Sequence, residues 1–214
     1  MKFCGRCGGV NEHRIPEGDN RARDVCTACG NVHYVNPRLV VGCIVVEDGK
    51  LLLCRRAIEP RRGYWTLPAG FQEMGESSAE GAARETLEEA GATVQILAPY
   101  AHLDIPHIGQ GYLLFRAVLS EPGTEAGEES LELGWFAPAE IPWDDIAFPA
   151  VRVAMELFVE DLAENRFRIH HATVRGHDPV RVRSGQRPAG THGDTSAQDI
   201  VLEGQLSLMT EDAL

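Results

Sequence analysis

Two matched cysteine pairs, Cys4-x-x-Cys7 and Cys26-x-x-Cys29, constrain this chain more than any other feature. Eighteen residues separate the pairs, so four sulfurs converge only if the intervening chain doubles back as a ribbon. Gly8 and Gly30 follow the second cysteine of each pair, where a knuckle turn often needs positive φ. Four thiolates form a closed tetrahedral shell, which fits a structural zinc ion and leaves no coordination position for chemistry. The competing readings are a disulfide framework or two redox motifs. The matched spacing favours zinc, as does the absence of a secretory pattern in Met1–Gly5. Residues 1–36 are too few and too polar to bury a sufficient core, so the metal supplies the missing stability. His13 and His33 read as ordinary surface residues. Cys43 and Cys54 sit in apolar runs and read as core.

Asn36-Pro37 marks a boundary. Leu39 to Val46 is a near-continuous apolar run, as in a central strand, and Asp48-Gly49 turns it back into Leu51–Cys54. Further strands are expected over Tyr64–Leu67, Val94–Leu103, Tyr112–Leu119 and Leu133–Ala137. Helices are expected over 77–90, capped by Ser77 or Ser78 and closed by Gly91, and over 150–166, with Val151, Ala154, Met155, Phe158 and Leu162 at helical spacing. From residue 169 the composition turns to Gly, Arg, Thr and Asp and reads as a flexible tail to 214, with Val201–Met209 able to dock as a short element. The 214 residues carry a net charge of −12, which opposes non-specific binding to nucleic acid. No apolar run reaches the ~18 residues needed to cross a bilayer, so a cytoplasmic protein without membrane partners is expected.

Segment 70–91 holds the acids Glu73, Glu76, Glu80, Glu85, Glu88 and Glu89 against one base, Arg84, so its net charge is 1 − 6 = −5. On a helix with Glu85 at zero, Glu89 falls near 40° and Glu88 near −60°, so the three carboxylates share a face. Ala83, Leu87 and Ala90 fall opposite and are expected to pack on a sheet. Neighbouring like charges repel, and a divalent cation relieves that strain. Oxygen-only ligands suit Mg²⁺ or Mn²⁺, the ions of phosphoryl chemistry. A solvated acidic face is the bland alternative.

The spacing adds more. Gly70, Glu76, Arg84, Glu85, Glu88, Glu89 and Gly91 fill every fixed position of G-x5-E-x7-R-E-U-x-E-E-x-G-U, the Nudix box. The bulky U positions hold the smaller Thr86 and Ala92. The chain therefore resembles Nudix hydrolases. The resemblance implies an α/β fold, an α/β/α sandwich with a mixed sheet, over 37–168, preceded by the zinc ribbon 1–36 and followed by the tail 169–214. It implies Mg²⁺ or Mn²⁺ held by Gly70, Glu85, Glu88 and Glu89. Glu88, Glu89, Arg84 and Glu76 form the catalytic set, in which Arg84 orients a box glutamate and Glu76 supports the site. Glu128, Glu129 and Glu132 are further candidates for the general base.

A ribbon joined to this domain resembles two groups, NADH pyrophosphatases and FAD pyrophosphatase-like enzymes. The S-Q-P-W-P-F-P-x-S stretch of the first is missing after Gly91. The second is similar at His33-Tyr34-x-Asn36-Pro37, Cys54–Arg61, Trp65–Phe71, Asp104–His107 and Glu140–Trp143. It implies hydrolysis of FAD to FMN and AMP. Arg55, Arg56, Arg61 and Arg62 are candidates to grip phosphates, and Tyr64, Trp65, Phe71 and Tyr112 to stack on rings. ADP-ribose, NADH or a diphosphate sugar are alternative substrates. A non-catalytic regulator with a nucleic-acid-binding ribbon is an alternative of another class. A homodimer stays open.

Overall fold

The computed structural model describes residues 1–175 and, for the backbone, 178–180. The N-terminal segment is a three-stranded antiparallel sheet: β1 (Asn11–Arg14), β2 (Arg23–Cys26) and β3 (Val32–His33), in that order. The Gly8 N–H reaches the Cys4 carbonyl at 2.9 Å, and the Gly30 N–H reaches that of Cys26 at 3.0 Å. Gly8 and Gly30 have φ of 74° and 69°, so each knuckle turns as its sequence requires.

The remaining strands are β4 (Arg38–Glu47), β5 (Lys50–Arg56), β6 (Trp65–Thr66) and β7 (Ala69–Phe71), then β8 (Val94–Ile105), β9 (Gln110–Leu119), β10 (Ser130–Phe136), β11 (His170–Arg175) and β12 (Asp178–Val180). They form one mixed sheet in the order β10-β5-β4-β9-β8-β11-β12, with β6 beside β5 and β7 beside β4. The β4–β9 and β8–β11 pairs are parallel. Helix α1 (Ser78–Ala90) covers one face and α2 (Pro149–Glu164) the other. This is the α/β/α sandwich expected from the sequence.

The long apolar run of β4 explains the layering. Val41, Cys43 and Val45 turn to the α1 side with Ala82 and Ala90, while Val40 and Ile44 turn to the α2 side with Val151, Met155 and Phe158. A strand buried on both faces needs no polar alternation. Cys43 and Cys54 are buried in the α1-side core, and burial pushes their thiols up to about 11 and about 12.

The tail expected from residue 169 is corrected at its start. His170–Arg175 is a strand, paired in parallel with β8. His170, Ala172 and Val174 point inward in alternation, and His170 Nε2 lies 2.7 Å from the buried Asp161 of α2. Residues 176–177 and 181–214, including the docking element expected at Val201–Met209, lie outside the described residues.

Candidate active site

Helix α1 starts at a capping box. Ser77 Oγ accepts from the Glu80 N–H at 3.3 Å, and Glu80 Oε2 accepts from the Ser77 N–H at 2.7 Å. It ends where the Gly91 N–H donates to the Leu87 carbonyl. The helix does not pack as its hydrophobicity suggests. Leu87 is 52% exposed, whereas Ala82, Thr86, Glu89 and Ala90 are buried. Thr86 can enter the core because its hydroxyl donates to the Ala82 carbonyl at 2.7 Å, leaving no polar group unsatisfied. The acidic stripe consequently straddles the helix–sheet boundary: Glu89 is inside, Glu85 half-buried and Glu88 in the open.

Arg84 organises the acids. Its Nη2 and Nε donate to the two oxygens of Glu76 at 2.8 and 3.0 Å. Its Nη1 donates to Glu85 at 2.8 Å and to Glu88 at 3.1 Å, and Nη2 also reaches the Phe71 carbonyl at 3.2 Å. Arg84, helped by the Glu73 N–H, holds Glu76 down to about 2. Burial pushes Glu85 up against the pull of Arg84. Glu89 accepts the Ala69 N–H at 3.0 Å, yet burial, reinforced by the Glu85 charge, pushes it up to about 8. Gly70 is packed so closely that a Cβ there would stand 2.2 Å from Glu85 Oε2.

These groups line a cavity of about 920 Å³. Glu59, Glu73, Glu85, Glu88, Glu89, Glu128 and Glu129 face it together with only two arginines, Arg56 and Arg84, among the described residues. This excess of carboxylates over guanidinium groups repels a diphosphate unless cations intervene. Much of the remaining lining is apolar or aromatic, with Phe71, Tyr112 and Phe148 and the aliphatic Ile58, Ile105 and Val174, beside the polar Gln72, His107 and Gln110.

The structure thus sorts the sequence candidates. Arg56 and Phe71 line the cavity; Arg55, Arg61 and Tyr64 do not. Arg55 pairs with Glu132 at 2.7 Å, and Arg61 lies over the Tyr64 ring at 5.3 Å. Arg56 donates to the Pro60 carbonyl and lies over the Phe148 ring, while Arg38 stacks on Phe71 at 4.4 Å. Glu128 and Glu129 reach the cavity and Glu132 does not. Sequence reasoning missed His107, Ile108 and Gln110 in the β8–β9 turn and Val174 of β11, all of them cavity residues.

Among the described residues, three or more metal-ligating atoms come within 4.8 Å of one another at two places: the four cysteines, and His102, Asp104 and His171. The glutamates of α1 are spread along the cavity wall instead. At the cysteines, Sγ separations are 3.4 Å for Cys7–Cys29, 3.5 Å for Cys7–Cys26 and 3.9 Å for Cys4–Cys29. A tetrahedron of 2.3 Å metal–sulfur bonds has edges of about 3.8 Å. The Cys29 backbone N–H, with that of Ala28, holds the Cys26 thiol down to about 6, favouring the thiolate that binds metal. No helix of the described residues is long and apolar enough to cross a membrane.

Residues 36–157 match the family described as the NUDIX domain, and residues 2–35 the family described as Nudix N-terminal, a zinc ribbon. A NUDIX hydrolase from Nitrosomonas europaea, known from its crystal structure, superposes with a TM-score of 0.77 at 48% identity, over 81% of this chain and 99% of that one. A MutT-like protein of Streptomyces ambofaciens is 35% identical over 102 residues, covering 48% of this chain and 64% of that protein. The NAD-capped RNA hydrolase NudC of Vibrio atlanticus is 37% identical over 97 residues, covering 44% of this chain and 33% of that protein. The match therefore spans less than two thirds of either curated relative.

Proposed function

The chain belongs to the Nudix family, and we propose that it is a metal-dependent pyrophosphohydrolase that cleaves a dinucleotide diphosphate, with FAD as substrate and FMN and AMP as products. The observation that carries this reading is the lining of the cavity of about 920 Å³, which brings seven glutamates together with aromatic and aliphatic side chains. Such a volume accepts a ligand of dinucleotide size, whose rings require apolar surface and whose phosphates require cations.

The acidic wall fits Mg²⁺ or Mn²⁺. All its donors are hard oxygens, and a cation at the buried Glu89 would favour the ionised carboxylate that burial otherwise disfavours. Glu85, Glu88, Glu89 and the Gly70 carbonyl would hold the ions. When bound, these supply charge neutralisation on the diphosphate and a more acidic water. The protein's own groups do the rest. Arg84 fixes Glu85 and Glu88, and Glu76 fixes Arg84. Arg56 faces the cavity as a donor to a phosphate oxygen. Phe71, Tyr112 and Phe148 offer the rings an apolar bed. A carboxylate facing the cavity, Glu88 before Glu128 or Glu129, takes the proton from the water that attacks phosphorus as the bridging P–O bond breaks. The ribbon cysteines hold a structural zinc ion.

A second reading, a nicotinamide dinucleotide as substrate, draws support from the NAD-capped RNA hydrolase relative. The test is a panel of FAD, NADH, ADP-ribose and a diphosphate sugar incubated with purified protein and Mg²⁺ or Mn²⁺, with products separated by chromatography. FMN and AMP from FAD are expected as the fastest conversion. Faster cleavage of another member replaces the substrate, and a panel left intact removes the enzyme.

A further inference from the structure

Strands β8 and β11 run parallel in a register that sets His171 opposite His102 and Thr173 opposite Asp104. Their alternate residues, Leu103, Ala172 and Val174 among them, enter the core, so His102, Asp104 and His171 stand together on the other face of the sheet. Both imidazoles turn Nε2 toward one carboxylate. His171 Nε2 lies 2.9 Å from Asp104 Oδ2, and His102 Nε2 lies 3.7 Å from Oδ1. The rings are 5.4 Å apart and tilted by 33°. All three residues offer a ligand atom within 4.8 Å of the others. On the far side of β8, Asp104 is paired with Gly111 of β9. A Cβ there would stand only 3.6 Å from His102 Nε2 and 4.0 Å from Asp104 Oδ1, so the neighbouring strand leaves the approach to the cluster free of a side chain.

We propose that His102, Asp104 and His171 form a second metal site, for a borderline-soft divalent transition ion of the zinc class, separate from both the ribbon and the glutamate cavity. Two imidazole nitrogens and one carboxylate oxygen are the donors such an ion selects, whereas Mg²⁺ prefers oxygen alone. Metal–ligand bonds of about 2.1 Å set tetrahedral edges of about 3.4 Å, and the three ligand atoms here already lie within 4.8 Å of one another. Three protein ligands leave the fourth position to water. The site joins two strands, so an ion on it clips β11 to β8. Val174 of β11 lines the substrate cavity, and occupancy therefore steadies one wall of it. A carboxylate accepting a hydrogen bond from His171, with His102 alongside at 3.7 Å, makes the same arrangement without an ion, and that is the outcome the experiment must separate.

The experiment uses the full chain with its ribbon zinc in place and excess Mg²⁺ covering the glutamates. Zinc is then added while the histidine ring protons are followed by NMR, and bound zinc is counted after dialysis. One further equivalent is expected, with the His102 and His171 resonances moving together. His102→Ala and His171→Ala each lose that equivalent and keep the ribbon's. Wild-type protein that takes up no further zinc overturns the site, as does zinc uptake that leaves both rings unmoved. If a variant fails to fold, the wild-type resonances decide alone.

Discussion

If Glu89 holds the cation as proposed, metal binding is a proton-releasing event. The Glu89 side chain is 7% exposed, and its pKa in the metal-free protein is pushed up to about 8 by burial and then by the charge of Glu85. Near pH 7 such a group is protonated in roughly nine molecules of ten. A divalent cation binds the carboxylate and not the acid, so Mg²⁺ expels that proton. About 0.9 proton per Glu89 leaves near pH 7, and about 0.1 near pH 9. The sign of the affinity follows. Apparent Mg²⁺ affinity rises about tenfold per pH unit below pH 8 and levels off above it. Stability of the metal-free protein runs the other way. The contribution of this raised carboxyl is fully present below its unfolded value of 4.5 and is lost as pH climbs through about 8. The gain in Tm on adding Mg²⁺ is therefore largest in alkaline buffer. Calorimetric titrations in buffers of different ionisation enthalpy count the protons directly. Glu89→Gln removes the proton release together with tight binding. A wild-type titration near pH 7 that releases no proton, with affinity flat from pH 6.5 to 8.5, refutes the reasoning.

Three further perturbations test other parts of the structure. Glu88→Gln removes an exposed cavity carboxylate, so kcat on the best panel substrate should fall by roughly 10²- to 10⁴-fold with the urea midpoint unchanged. Gly70→Ala puts a methyl group 2.2 Å from Glu85 Oε2, which forces that carboxylate aside, and steady-state assays should find turnover lowered at least tenfold in a folded protein. Asp161→Ala strips a buried carboxylate that accepts from Tyr100 at 3.2 Å and from the Arg168 N–H at 3.0 Å and meets His170 at 2.7 Å; denaturant melts should register a loss of roughly 3 to 5 kcal/mol at neutral pH. Burial opposes the charge of Asp161, but His170 and the Arg168 N–H hold it below the usual carboxylate range, so this contribution fades as pH falls through that range.

Sequence patterns located the elements better than the faces they present. The run 39–46 lies within β4, Asp48-Gly49 joins β4 to β5, and the helix expected over 77–90 is α1 with Ser77 as its cap, because each has a local cause: strand periodicity, turn residues, or a capping serine with Glu80. The packing of α1 was not legible. A hydrophobicity scale ranks Leu87 above Thr86, yet a threonine that bonds its own helix backbone buries without penalty. Strand β11 was hidden by averaging. His, Arg and Thr make 170–175 polar as a block, while its period-two burial shows only position by position. Arg55 and Arg56 illustrate the same point. Adjacent strand residues point to opposite faces, so both could not face the cavity, and it is Arg56 that does. Ile108 and Gln110 belong to no motif, and only the fold brings them to the cavity that the glutamates line.

The Arg84 fork bears on how the protein rests between turnovers. One permanently charged guanidinium, shared by Glu76, Glu85 and Glu88, already compensates part of the repulsion along the wall. The wall therefore keeps its shape whether or not ions are seated on it. A divalent ion held there would then exchange with solution without any rebuilding of the pocket. On the proposed reading, a cation at the glutamates would be an exchangeable reagent, while an ion enclosed by four sulfurs would be part of the architecture.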